Sequence, residues 1–207
     1  MTKEIRKERE REEMRKIILD AAGQIIAEEG IERLSIRKIS QKMEYSAGII
    51  YHYFQNKNDI IEHLLQKGYQ DMVSGIRSAQ GEEMGGDPSL ILKQSLQQFI
   101  TMALEEGSQY PNVMLNDSPA VLSHTSVLFR GAAQERKAID MLCHCLGQFQ
   151  HIKEKDQVYI ELTAQVIWSA AFGLIIRLTV EKELPVEQRE ALISHYLDTM
   201  LVIANQS

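Results

Sequence analysis

A chain of 207 residues that is 44% hydrophobic and 25% charged belongs to the ordinary globular class, which excludes a disordered or collagen-like polymer. Its formal charge of −6 excludes a protein that coats nucleic acid through a broad basic surface. The acidity is uneven, however: residues 1–60 hold 12 Lys/Arg against 11 Asp/Glu, while residues 61–207 hold 11 against 18, so only the N-terminal part is suited to approach phosphate.

The first predicted element is an amphipathic helix. Met14, Ile17, Ile18, Ala21, Ala22, Ile25 and Ile26 repeat at the helical period, and Gly30 ends the run. Ser35 is placed to cap a short second helix carrying Ile36, Ile39 and Met43, and Ser46 to cap a third carrying Ile50 and Phe54. Asn56 and Asp59 have capping-box spacing for a fourth helix that continues through Ile60, Ile61, Leu64 and Leu65.

Gln80 to Ser89, with three glycines, one proline and three acids, reads as a loop near a domain boundary. Further helices are expected over Leu90 to Leu104, from Ser118–Pro119 onward, and around Ile139, Leu142, Leu146 and Phe149. Two long ones close the chain, Val158 to Val180 and Val186 to Ala204, and no strand alternation competes, so the fold class is all-α.

Residues 35–53 have the dimensions of a helix-turn-helix, whose second helix enters a major groove about 12 Å wide. Ser46, Ala47 and Gly48 are small enough for close approach to DNA, and Tyr51 and His52 follow with larger polar groups. On charge pattern alone Arg37, Lys38 and Lys57 read as a solvated face, and Phe54 as core. The Tyr51 ring is expected to pack while its hydroxyl reaches outward.

Over about residues 11–70 the chain resembles the tetracycline-repressor (TetR) family of bacterial regulators. The resemblance lies in the first helix ending at Glu29–Gly30, in Ser35-Ile36-Arg37-Lys38-Ile39, and in the run Ser46-Ala47-Gly48-Ile49-Ile50-Tyr51-His52-Tyr53-Phe54 followed by Asn56–Lys57. It implies a DNA-binding domain over 11–70 and a helical ligand-binding and dimerisation domain over 71–207. It further implies that Ser35, Arg37, Ser46, Gly48, Tyr51, His52 and Lys57 face DNA. Tyr51 and Lys57 are then expected on phosphates, and Ala47, Ile49 and His52 nearer base edges. Ile49 departs from the threonine common there in the family, and offers only apolar contact, for instance to a thymine methyl.

In the C-terminal part, Cys143-His144-Cys145 suggests a metal or redox site. Residues two apart on a helix point about 200° from each other, so no metal site is expected and the cysteines read as core or pocket. Tyr110, Met114, Phe129, Met141, Phe149, Trp168 and Phe172 suit either a ligand pocket between helices or plain core packing. The segment Val166 to Leu178 is apolar nearly all round, with small Ser169, Ala170, Ala171 and Gly173. Together with Leu192, Ile193, Tyr196, Leu197, Met200 and Leu201 it suggests a four-helix dimer interface, and Trp168, Phe172, Gly173 and Leu174 resemble the penultimate helix of TetR-family effector domains.

The two cysteines form no disulfide framework, Met1 to Glu13 lacks the apolar core of an export signal, and the apolar stretch Val166 to Ile176 falls short of the ~20 residues of a membrane span. A cytoplasmic protein without membrane contact is expected. The resemblance implies a homodimeric regulator of near-palindromic operator DNA, a repressor released by a small, mainly apolar effector, with no cofactor and no catalytic residue. The competing reading is an all-helical carrier or enzyme whose N-terminal helices are only structural; the chain has no phosphate loop, nucleophile elbow, zinc-protease or dinucleotide motif to favour it.

Overall fold

The computed structural model describes residues 3–79, 86–107 and 109–206, which contain helices and no strand. Contacts divide the chain into two units, one of residues 1–69 with 108–125, the other of 70–107 with 126–207. Residues 80–85, most of the loop expected between the domains, lie outside the described residues.

The first unit begins with α1 (Lys3–Glu29). Ile18, Ala21, Ala22, Ile25 and Ile26 form its buried stripe, whereas Ile17 lies off that stripe and is exposed. Residues 4–13 are all exposed, so this part of the helix is held by local pairs such as Arg6 Nε to Glu10 Oε1 at 2.9 Å. Gly30 ends α1 at φ 86°, a backbone state that costs glycine nothing, and a short 3-10 turn at Ile31–Arg33 returns Ile31 and Leu34 to the core.

The next three helices are α2 (Ile36–Met43), α3 (Ala47–Tyr51) and α4 (Lys57–Ala79). Ser35 Oγ accepts the Lys38 N–H at 3.2 Å, the cap that its position predicts. Before α4, Asn56 Oδ1 accepts the Asp59 N–H at 3.1 Å, and Asp59 Oδ2 accepts that of Gln55 at 2.7 Å, one residue earlier than a strict capping box. Two short helices from further along, α6 (Gln109–Met114) and α7 (Pro119–Thr125), join this unit. Val121 is wholly buried in the same core as Ile18, Ile39, Ile50 and Phe54, and Asn116 Nδ2 donates to Glu32 Oε1 at 2.6 Å.

The second unit holds the end of α4 with α5 (Pro88–Glu105), α8 (Ala132–Glu135), α9 (Lys137–Leu146), α10 (Gln157–Val180) and α11 (Val186–Gln206). Asp87 and Asp156 cap α5 and α10 through their carboxylates, at 3.0 and 2.8 Å from the N–H groups of Ser89 and Tyr159. The core holds Phe99 stacked on Trp168, ring centroids 4.4 Å apart, with Leu92 and Leu96 lining the same cavity, and Ile139 and Ile167 are wholly buried in the unit as well. Phe149, expected on the helix of Ile139, lies beyond its end at Leu146, buried in the following turn.

α10 presents two apolar faces. Ile160, Ala164, Ile167, Ala171, Ile175 and Leu178 are buried in the unit, and Val158, Leu162, Val166, Gly173 and Val180 are exposed. By length and composition it is the helix among the described residues that could cross a membrane. On α11, Leu197 and Met200 are buried within the protomer, which corrects their placement on an intersubunit face; Leu192 and Val202 are the exposed apolar positions. The Tyr196 hydroxyl donates to the Ile167 carbonyl at 3.0 Å, and Lys93 pairs with Asp198 at 2.8 Å.

Candidate functional site

The turn between α2 and α3 starts at Glu44, whose φ of 58° lets the chain reverse, and Tyr45 N–H closes it on the Ser40 carbonyl at 3.0 Å. α3 is five residues long and buries one of them, Ile50. Phe54, four positions on, is the next residue to reach the core. All other α3 positions therefore point partly or wholly outward, and this sets which side chains a DNA groove could meet.

Arg37, Ser46, Gly48, Tyr51 and His52 are exposed, and Ser35, Ala47, Ile49 and Lys57 are half-buried. Ser46 occupies the N-cap position with extended backbone, but unlike Ser35 its hydroxyl makes no bond to its helix. Against the expectation that its ring packs, Tyr51 is 58% exposed, because a five-residue helix has one core-facing position and Ile50 takes it. Lys38 pairs with Glu29, and Lys42 with Glu28 at 3.1 Å, so two cations of α2 are answered by carboxylates of α1 and Arg37 is left as its outward base. An added Cβ on Gly48 would meet no atom nearer than 3.8 Å, so the fold does not need glycine there and its effect is to keep the surface low.

The second unit contains a cavity of about 30 Å³ lined almost wholly by apolar atoms. Of the seven residues proposed from sequence, Met141 and Trp168 line it. Phe149 is buried in the core, Phe172 is half-buried on α10, and Phe129 is half-buried under the Arg136 guanidinium, 5.6 Å from the ring centroid. Tyr110 and Met114 sit on α6 in the first unit, so the seven do not form one site. The lining that sequence reasoning missed includes Ile76, Leu92, Leu96 and Phe99, apolar residues that carry no compositional signal separating pocket from core; Cys145, read as core or pocket, is there too.

Cys145 faces this cavity, with its Sγ 3.7 Å from the Pro88 carbonyl, and burial pushes its thiol up to about 12. Cys143 is half-buried and is pushed up to about 11 by burial, with the carboxylates of Glu161 and Asp140 adding to the effect. Both stay protonated near neutrality, which suits core packing better than metal ligation or redox chemistry. Among the described residues no three His, Cys, Asp or Glu side chains are grouped to hold a metal ion.

Comparison with known proteins gives these features a context. The sequence profile described as "Bacterial regulatory proteins, tetR family" matches residues 18–64, the latter part of α1 with α2, α3 and the start of α4. The HTH-type transcriptional regulator BetI of Vibrio atlanticus (strain LGP32) is 27% identical over 188 residues, 89% of this chain and 90% of that protein. Among solved structures, a TetR-family transcriptional regulator from Rhodococcus sp. superposes with a TM-score of 0.68 at 20% identity, over 92% of this chain and 98% of that one. The TetR-family regulator PfmR from Thermus thermophilus gives a TM-score of 0.64 at 20% identity, over 92% and 98%. The helix-turn-helix, in which Ile50 is the one buried residue of α3, thus lies within a region similar to the tetR family, and the chain is a DNA-binding transcriptional regulator.

Proposed function

We propose that this regulator is a homodimeric repressor that a small, mainly apolar molecule releases from a near-palindromic operator. The DNA-binding domain is taken as about residues 11–70, with α3 as the recognition helix and the rest of the chain chiefly the effector domain. Tyr51 and Lys57 hold phosphates, together with Ser35, Arg37, Ser46 and Gly48 along the backbone, while Ala47, Ile49 and His52 meet base edges. The exposed apolar strip of α10, with Leu192 and Val202 of α11, supplies the surface on which a second copy packs.

The observation that carries ligand control is the presence of Ile76, a residue of α4, in the lining of the cavity. α4 begins at Lys57, directly after the recognition helix, so anything that enlarges the cavity acts on the helix that follows α3. A space of about 30 Å³ holds a water molecule or two and no drug-sized ligand, for which about 300 Å³ or more is usual. A ligand therefore binds a state in which the lining has moved, and only such a difference in affinity between states can shift an equilibrium. In a dimer, a change in the spacing of the recognition helices of a few ångströms prevents both from docking, because half-site separation is set by the helical repeat of DNA.

Calorimetry tests this by reciprocity. A ligand found by screening should bind about 5- to 150-fold more weakly in the presence of operator, the range of common allosteric couplings. Equal affinities with and without operator would remove ligand release from the proposal and leave a DNA-binding protein controlled in another way.

A further inference from the structure

One side chain of α1, that of Arg15, bonds to the exit of the recognition helix. Arg15 Nη1 donates to the Tyr53 carbonyl at 3.2 Å, two residues past the end of α3, and its Nη2 lies 2.8 Å from His63 Nε2 on α4. The guanidinium also sits over the Phe54 ring, 4.7 Å from its centroid, and that ring meets the His63 imidazole edge-on at 5.3 Å. A guanidinium offers only donors, so His63 Nε2 must present its lone pair, and the ring proton is on Nδ1. There it is donated to the Asp59 carbonyl at 2.7 Å, with the Asp59 carboxylate 3.1 Å away. The histidine is thus neutral, and two helices and the exit of α3 meet on one cation.

We infer that Arg15 is a positioning residue for the recognition helix: it fixes where α3 ends relative to α4 without itself touching DNA, and it can do so only while His63 is neutral. The inference rests on α3 being the recognition helix. Phe54 anchors the same corner from the apolar side, but a ring in a core sets depth and leaves rotation free, whereas a fork bonded to a carbonyl and an imidazole sets direction. Protonating His63 removes the acceptor and places an imidazolium against the guanidinium. Of the charged groups facing the ring, Arg15 on α1 opposes that protonation and Asp59 on α4 favours it.

The test uses the full-length protein and a duplex recovered by selecting genomic fragments on it. Arg15→Lys keeps the charge but loses the fork, and should bind this duplex about 5- to 50-fold more weakly at a temperature where the variant is fully folded. The slope of log K against log salt should stay at the wild-type value. A slope smaller by about 0.9 would show that Arg15 neutralises a phosphate, and would overturn the positioning role, as would wild-type affinity. His63→Gln decides the matter independently, including the case in which Arg15→Lys fails to fold, because its amide oxygen accepts from Arg15 at any pH. As pH is lowered from about 8 to about 5.5, wild type should lose operator affinity relative to His63→Gln, because an imidazolium cannot accept from Arg15. Parallel pH profiles would overturn the inference. His52→Ala serves as the control: if it leaves binding and base preference unchanged, the reading of α3 fails on its own account and the Arg15 assignment falls with it.

Discussion

Glu161 on α10 accepts the backbone N–H of Gly131 at 2.8 Å through one carboxylate oxygen, and the other oxygen accepts that of Ala133 at 3.0 Å. Gly131 is in the left-handed region at φ 87°, and its neighbours lead into the single turn of α8, too short to hold itself. Gln165, one turn further along α10, donates to the Val127 and Phe129 carbonyls at 2.8 and 2.9 Å. The segment from Val127 to Ala133 is therefore tied to α10 by side chains. Glu161→Ala should cost about 2 kcal/mol in urea unfolding, as expected for charge-assisted bonds left unmade, and Glu161→Gln distinctly less.

The proposed dimer separates surface from core on the same helices. Val166→Arg, with 60% exposure at that site, and Gly173→Arg, where an added Cβ would meet nothing within 4 Å, should give soluble, helical monomers in light scattering. Leu197→Arg should instead lose helical circular dichroism, because that side chain is 3% exposed within a single protomer. Folded dimers from both surface variants would exclude this face as the contact.

Much of the fold is legible in the sequence because its signals are local. The stripe from Ile18 to Ile26, the Ser35 cap and the Asn56–Asp59 pair each depend on residues within a turn or two of one another. What escapes is non-local. Tyr110 and Met114 read equally as pocket or core, and their helix accompanies Val121 into a core made by residues about a hundred positions earlier, a pairing no periodicity records. Arg15 escapes for the same reason: within its own helix it is one more base in a charged run, and its partners are 38 and 48 residues away. Leu197 is misplaced by sequence because an apolar helix face looks alike whether its neighbour is the same chain or another copy.

The thiols give a prediction in pH. The Cys145 pKa rises from 9.0 to about 12, so at neutral pH its thiolate fraction is roughly a thousandfold below that of the unfolded chain. Alkylation of native protein at neutral pH should be slow and should accelerate on unfolding. The folded state holds this proton more tightly, so its contribution to stability is fully present below pH 9.0 and is lost as pH rises toward about 12. Cys145→Ala should flatten that alkaline fall in urea midpoints; an unchanged pH dependence would count against burial as the cause.

The DNA roles are separable by salt. Lys57→Ala should weaken binding to specific and random duplexes alike and reduce the salt slope by about 0.9, as loss of one phosphate contact does. His52→Ala should leave the slope near wild type and change which half-site variants are preferred. An exchange of these two outcomes would invert the roles assigned to the start of α4 and the end of α3.

Where α4 passes α5, Gly75 faces Met102 so closely that an added Cβ would overlap its sulfur. One partner at this point of the crossing is bare backbone and the other an unbranched thioether with three rotatable bonds. Interdigitated side chains would force a helix to jump a whole turn or stay put. A thioether can change rotamer where a branched side chain could not, so on the proposed ligand control this contact is where α4 would yield as the neighbouring cavity fills. Under that proposal, graded operator release across a homologous ligand series, larger members releasing more, is the expected outcome; release by one member size alone would count against it.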